Sequence, residues 1–387
     1  MDKHEISAVF VVGVLPGMKR VSGLRRVRIV QHNRAKQRRA ARRKSPRLKG
    51  TGLPAPLDGP IRHTFSVPRR RSRIAIHLPD TLSLRDNFVK TVSAISLMRQ
   101  AILVRNWPVM LHFDNVHKIE PAATLMLAAE IERCRKLRPY VGGLIVNGTY
   151  PPDTDVFLQL REMGFYKLIG VPDREEVPDN RETSRRPRFL NFFTFDTVES
   201  VVAAQLTELV SVGAFAISEK LKGRMTGAVK EAMGNAVEHA YMTPGYYPTL
   251  DGRWWCAAYV DPMMGEMMII LYDQGVGVSG TLDADLFDLI RSIVTTRSWR
   301  LSDGYMIAAA TELYRTSTGQ SGRGRGFRDM KKFVDSCDDG ELRVLSNSGS
   351  YRYMKGGEQI SDESLSIGGT LVEWRVRHGQ PVDFEDA

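Results

Sequence analysis

The sequence has few cysteines and no long apolar run, and these two deficits exclude whole classes of protein. Its 387 residues contain only Cys134, Cys256 and Cys337, an odd number without paired spacing, so neither a disulfide framework nor a zinc site is indicated. No apolar run approaches the length that a bilayer requires. The early run "AVFVVGVLPG" precedes basic residues and no small-residue cleavage site, so we do not interpret it as a signal peptide. We therefore expect a cytoplasmic protein without a membrane span.

Positive charge is concentrated at the N-terminus. The formal net charge is +11, and residues 1–50 hold 15 Lys and Arg against two acids, so the rest of the chain is close to neutral. The segment "NRAKQRRAARRKSPRLKG" lacks aromatic residues and apolar periodicity, which predicts a disordered tail and linker over residues 1–71. Non-specific contact with a polyanion or a membrane surface is one role for such a tail. A solvated tail is the favoured alternative, and a true start at Met18 stays open.

Residues 72–172 alternate short apolar strands with amphipathic helices, which predicts a small α/β domain. Candidate strands are "RIAIHLP", "AILVR" (101–105), "VMLHF" and "GLIVNG". Candidate helices are "PAATLMLAAEIERCRKL", opened by Pro121, and "TDVFLQLREMG", closed by Gly164.

The stretch "VMLHFDNVHKIEPAATLMLAAEIERC" followed by "VFLQLREMGFYKLIG" resembles a STAS domain, the fold of the anti-sigma-factor antagonists. Regulated members of that family carry a phosphorylatable Ser or Thr at the start of the helix, where this chain has Glu120, Pro121, Ala122 and Ala123. The resemblance therefore implies a docking or regulatory module without that phospho-switch.

A polar segment over residues 173–189 reads as a linker to a second domain, predicted over 190–378 and followed by a short tail at 379–387. Within it, "EAMGNAVEHAY" places Glu231, Asn235 and His239 four residues apart on one helical face. Val229, Met233, Ala236 and Ala240 form a second, apolar stripe. A solvated helix face is the simplest explanation of the polar stripe when it is taken alone.

Two glycine-rich stretches favour an anion-binding function for this face. An apolar strand, "MMIILYDQGVGVSG", runs into Asp273, Gly275 and Gly277, and "GQSGRGRGF" precedes a helical pattern. Glycine lets backbone N–H groups approach a ligand, and a glycine-rich turn that opens a helix is a ready phosphate site. Each stretch taken singly predicts no more than a turn.

The ordered set "EAMGNAVEHA", "DQGVG", "GRGRG" and "GGTLVEWRV" resembles the GHKL superfamily of ATP-binding domains, closest to the anti-sigma-factor serine kinase branch. The resemblance covers residues 190–378. With the STAS-like region, it implies an α/β (α+β) fold class: a STAS-like α/β domain, then a GHKL-type α/β sandwich whose mixed sheet carries helices on one face.

Residue roles follow from this resemblance. It implies that ATP and Mg²⁺ are the cofactors, with Asn235 as the metal ligand and Glu231 as the general base; His239 is assigned a structural hydrogen bond. Asp273 would accept a hydrogen bond from the adenine amino group. The residues implied to bind ATP are Asn235, Asp273, Gly275, Gly277, Gly322, Arg323, Gly324, Arg325, Gly326 and Thr370.

Other nucleotide folds fit the sequence less well. No G-x-x-x-x-G-K-S/T string exists, which excludes a P-loop. The string "GVGVSG" satisfies the dinucleotide fingerprint, but "RSIVTTRSWR" supplies no second strand with an acid about 20 residues later. A sensor histidine kinase would need a His on a long helical hairpin before the ATP domain, and residues 173–188 do not supply one.

Two functional classes remain open. The first is an enzyme, a magnesium-dependent ATPase or a serine/threonine protein kinase, which the presence of both Glu231 and Asn235 favours. The second is a catalytically slow, ATP-gated regulatory module whose lid, over about 281–321, controls partner docking. A regulatory or substrate protein is the expected partner, bound through the STAS-like domain, and a homodimer stays open.

Overall fold

The fold consists of an N-terminal α/β region and a larger region built on one long antiparallel sheet, both described by a computed structural model. The model describes residues 73–139, 144–169, 171–172, 187–211, 218–242, 245, 247–281, 284–296, 302–316 and 326–377. The predicted tails at 1–71 and 379–387, and most of the predicted linker at 173–189, lie outside these residues. All described residues belong to one compact unit of the chain.

The N-terminal region is a small parallel sheet with helices, as the alternating pattern predicts. Strands β1, β3 and β5 form a parallel sheet in the order β1-β3-β5, and β2 pairs with β4. Its elements are β1 (Ile74–His77), β2 (Thr81–Leu82), α1 (Phe88–Arg99), β3 (Val109–His112), β4 (Lys118–Ile119), α2 (Pro121–Leu137), β5 (Val146–Gly148), α3 (Thr154–Glu162) and α4 (Phe165–Leu168).

One predicted strand in this region is wrong. The segment 101–105 was predicted as a strand, but Gln100–Val104 is a π-helical continuation of α1. Ala101, Ile102 and Leu103 are buried there. A short, continuous apolar run is compatible with a buried strand and with a buried helical turn, so periodicity alone cannot separate the two.

The larger region contains a seven-stranded sheet with the order β11-β10-β9-β12-β8-β7-β6. Its strands are β6 (Arg188–Phe195), β7 (Trp254–Asp261), β8 (Glu266–Asp273), β9 (Asp339–Ser346), β10 (Gly349–Met354), β11 (Gly357–Asp362) and β12 (Thr370–Arg377). Its helices are α5 (Ser200–Ser211), α6 (Glu219–Glu238), α7 (Gly277–Gly280), α8 (Ala284–Thr296), α9 (Asp303–Thr316) and α10 (Gly326–Asp335).

The prediction of a mixed sheet is wrong, because each described pairing in this sheet is antiparallel. Helices separate β6 from β7 and β8 from β9, a chain order that suggests parallel crossovers. Instead, β12 inserts between β8 and β9 and runs antiparallel to both. Strand order of this kind depends on long-range pairing, which the sequence pattern does not reveal.

Both faces of the sheet are covered: the helices of this larger region pack on one face, and the N-terminal region packs on the other. Trp254 and Ile269 pack with α5, α6, α9 and α10, whereas their neighbours Trp255 and Ile270 pack in one core with the N-terminal region. Successive residues of a strand point to opposite faces. The strand β8 is buried at all eight positions, the pattern of a strand covered on both sides.

A cluster of buried charges connects α1 with α2, and its carboxylate also contacts Gln274 in the turn after β8. Glu130 on α2 is fully buried and accepts hydrogen bonds from Arg99 at 3.1 Å and from Arg133 at 2.5 Å. Burial opposes its ionisation, but Arg133 and Arg99 together hold the pKa of Glu130 below its ordinary value. Such a carboxylate stabilises the fold only while its partners stay in place.

No described helix combines the length and the apolar composition needed to cross a bilayer.

Candidate functional site

Asp273 ends β8, and its carboxylate is buried against the start of β12. It accepts hydrogen bonds from the backbone N–H groups of Gly275, at 2.9 Å, and Thr370. Burial raises the pKa of Asp273 to about 7, although both backbone N–H groups act in the opposite direction. A carboxylate whose ionised form is disfavoured by its surroundings is characteristic of functional sites.

Gly275 follows Asp273 in a turn that lies directly against the end of α6. A Cβ atom built on Gly275 would lie 2.2 Å from the carbonyl oxygen of Ala240, so this position accepts no larger side chain without a shift of the backbone. That carbonyl also accepts a hydrogen bond from the N–H of Val276 at 2.9 Å. The hydroxyl of Tyr241 accepts one from the N–H of Gln274 at 2.9 Å. The end of α6 therefore fixes the turn after β8.

Thr370 belongs to a hydroxyl cluster beside Asp273. Its hydroxyl lies 3.1 Å from the hydroxyl of Ser346, which accepts a hydrogen bond from the N–H of Val278 at 2.8 Å. Gly277 has a φ of +75°, a conformation that favours glycine, and Asn347 packs against it. Ser346 and Asn347 were not predicted, because "SNSG" in the sequence indicates only a turn between strands.

The helix α6 carries the predicted polar stripe towards the N-terminus of α10. A Cβ atom built on Gly326, the first residue of α10, would lie 3.0 Å from Oε2 of Glu231 and 3.8 Å from Nδ2 of Asn235. The predicted apolar stripe, which includes Val229 and Met233, is buried. The structure therefore brings Gly326 close to Glu231 and Asn235, which lie about 90 residues earlier in the sequence.

The environment of Glu231 favours its protonated form more than water does. Burial raises the pKa of the Glu231 carboxyl, and the negative charges of Asp329 on α10 and Glu238 on α6 raise it further. A carboxyl group with a raised pKa, half-buried beside a helix N-terminus, is suited to accept a proton from water or a hydroxyl group.

The remaining predicted residues lie elsewhere. Gly322, Arg323, Gly324 and Arg325 lie outside the described residues. The side chain of His239 is exposed at the end of α6, and the predicted structural hydrogen bond of its imidazole is not among the contacts of the described residues.

A chain of contacts connects the Asp273 end of the site to the N-terminal region. Nε2 of Gln274 lies 3.4 Å from Oε2 of Glu130, and Arg99 donates to the carbonyl of Ile367 at 3.2 Å. The loop between Ile367 and Thr370 leads directly into the hydroxyl cluster. This connection was not predicted, because no sequence motif marks hydrogen bonds between residues more than 100 positions apart.

The arrangement offers different chemistry at its two ends. The Asp273 end presents a buried hydrogen-bond acceptor and two hydroxyl groups, whereas the Cβ side of Gly275 faces Ala240, so packing against α6 requires that glycine. The Glu231 end presents an amide, a carboxyl group and a helix N-terminus, a set suited to an anion with a cation beside it. About 10 Å of helix axis separates Glu231 from the end of α6.

No model of a known protein family matches the chain, and no curated protein matches its sequence. The assignment to the STAS and GHKL families thus stays a prediction.

Proposed function

We propose that the region 190–378 binds ATP with Mg²⁺ and transfers its terminal phosphoryl group to water or to a serine or threonine hydroxyl of a partner protein. Asp273 accepts a hydrogen bond from the adenine amino group. Asn235 ligates the metal, and Glu231 accepts the proton of the attacking oxygen. The buried, backbone-held carboxylate of Asp273 is the observation that carries this proposal.

Asp273 lowers the stability of the folded protein when its carboxyl group is ionised, and this supports a functional role. An unfolded Asp has its ordinary pKa of 3.8, whereas burial raises the pKa of native Asp273 to about 7. The free energy of unfolding therefore falls as the pH rises through this window. A residue that destabilises the free protein at neutral pH is explained by a ligand whose donor favours the ionised form.

The first test is the pH dependence of nucleotide affinity. Because adenine donates to the ionised carboxylate, the affinity for ATP should fall about tenfold for each pH unit below 7. Asp273→Asn is the matched control, because any effect of pH on ATP itself or on its binding of Mg²⁺ is the same for both proteins. Equal pH profiles for the wild type and this variant would reject the role of Asp273.

The second test addresses the metal ligand. Mg²⁺ keeps most of its water and needs few protein ligands, so one amide oxygen is sufficient. Loss of an outer-shell partner of a metal site typically costs about 10- to 100-fold in affinity. Asn235 is proposed as a direct ligand, so Asn235→Ala should lower ATP affinity in the presence of Mg²⁺ by at least that factor. In EDTA the two proteins should bind ATP equally. A variant that retains the full effect of Mg²⁺ on affinity would contradict the assignment.

The second candidate function is an ATP-gated regulatory module with slow or absent turnover. The contact between Gln274 and Glu130 favours it, since it joins the Asp273 turn to the N-terminal region, the proposed docking module. Incubation with ATP labelled at the γ-phosphate separates the classes. Free labelled phosphate identifies an ATPase, and label on a second protein identifies a kinase. Binding without either product identifies the gate.

A further inference from the structure

Two histidines and an aspartate meet at one edge of the N-terminal sheet, away from the proposed nucleotide site. His77 is the last residue of β1 and His112 is the last residue of β3; they are direct partners in the parallel register. Asp114 follows two residues later. Their nitrogen and carboxylate donor atoms all lie within 4.8 Å of one another.

The carboxyl edge of a parallel sheet is where ligands bind in open α/β folds. Here the backbone holds the two strand ends rigidly, because the N–H of Leu78 donates to the carbonyl of His112 at 3.0 Å. The two imidazole rings are stacked with centroids 4.6 Å apart and planes 20° from parallel. The two stacked rings therefore lie at the same carboxyl edge of the sheet.

The spacing of the donors suits one shared cation. Nδ1 of His112 lies 3.0 Å from Oδ2 of Asp114, which fits the roughly 3 Å between neighbouring ligands at metal bond lengths of about 2.0–2.2 Å. A hydrogen bond between the two groups has the same length. His77 is exposed, and because its donor lies within 4.8 Å of the other two, a shift of its ring by at most about 2 Å would bring it to the same separation.

Thr149 supports the carboxylate from behind. Its hydroxyl accepts a hydrogen bond from the N–H of Phe113 at 2.9 Å and donates one to Asp114. Outer-shell hydrogen bonds of this kind orient the ligands of metal sites. Thr149 thus restricts the carboxylate to the side of the histidine pair.

We propose that His77, His112 and Asp114 bind a divalent transition-metal ion, with Zn²⁺ as the preferred class. Imidazole nitrogens favour zinc, nickel and copper over magnesium and calcium, which prefer oxygen ligands. Three protein ligands leave a fourth position for water or an exogenous ligand. This site is independent of the proposed nucleotide site, so either proposal can fail alone.

The test is calorimetry of Zn²⁺ binding to the full chain at pH 7.5. The double variant His77→Ala/His112→Ala should lose one zinc per chain or bind it about 100-fold more weakly, because two of three ligands are gone. His117→Ala is the matched control: His117 is exposed, ends the same loop and lies outside the cluster, so zinc binding should be unchanged.

Two further measurements make the result decisive. Circular dichroism without metal should be the same for all variants, since His77 and His117 are exposed and His112 is only partly buried. Co²⁺ bound to the wild type should show visible ligand-field bands that the double variant lacks. A double variant with wild-type zinc stoichiometry and affinity would overturn the proposal, as would a wild type that binds no zinc.

Discussion

Glu130→Ala is expected to destabilise the protein by about 3–5 kcal/mol, the typical cost of removing one partner of a buried ion pair. The substitution leaves the guanidinium groups of Arg99 and Arg133 buried, with side chains only 2% exposed, and without their shared carboxylate. The midpoint of urea-induced unfolding measures the loss. We expect the N-terminal region and the sheet to lose stability together, because Glu130 lies between them.

Lys136→Ala is the matched control in the same helix. Lys136 is 46% exposed and pairs with the buried Glu132, which keeps its contacts to Trp255 and Arg253, so loss of Lys136 should cost only about 0–1 kcal/mol. A Glu130→Ala protein with stability close to that of the Lys136→Ala protein would show that the buried cluster contributes little. The same pair of variants tests the link to the site, since only loss of Glu130 removes the contact to Gln274.

Glu231→Gln is expected to lower turnover by about 10²- to 10⁴-fold, the usual contribution of a positioned general base. The amide has the shape of the carboxyl group but cannot accept the proton. ATP affinity should change little, because the proposed role of Glu231 concerns the attacking oxygen and not the nucleotide. Release of labelled phosphate under single-turnover conditions measures the rate of the chemical step.

Glu219→Gln provides the control for this substitution. Glu219 lies in the first turn of the same helix and is 88% exposed, so the change removes one negative charge from α6 away from the site. It should retain wild-type turnover. Full activity in Glu231→Gln would reject the base, and equal losses in both variants would indicate an effect of helix charge alone.

The sequence predicted local structure well where periodicity and end signals agree. The helix predicted from "PAATLMLAAEIERCRKL" has the predicted bounds, Pro121–Leu137, because a proline at its first position and a long apolar pattern mark it clearly. The segment 101–105 was wrong because it offers only a short apolar run. The mixed sheet was wrong, and the N-terminal region on the second face of the sheet was not predicted, because both depend on contacts between distant parts of the chain.

In the candidate site, too, some residues could be predicted from local sequence signals and others could not. Motif reasoning selected Asp273 and Thr370, which the structure places in direct contact, and Glu231 and Gly326, which lie close together. It missed Ser346 and Glu130, whose positions follow from strand pairing and helix packing. Residues with a conformational signature, such as glycine or an acid at a strand end, can be found from sequence, whereas partners supplied by tertiary packing cannot.

Calorimetric titration of the full chain with ATP and Mg²⁺ at pH 8 tests the central claim most directly. At this pH Asp273 is ionised, so we expect heat from one nucleotide per chain and none from Asp273→Ala. No heat from the wild-type protein at millimolar ATP would contradict the account, as would equal heat from both proteins.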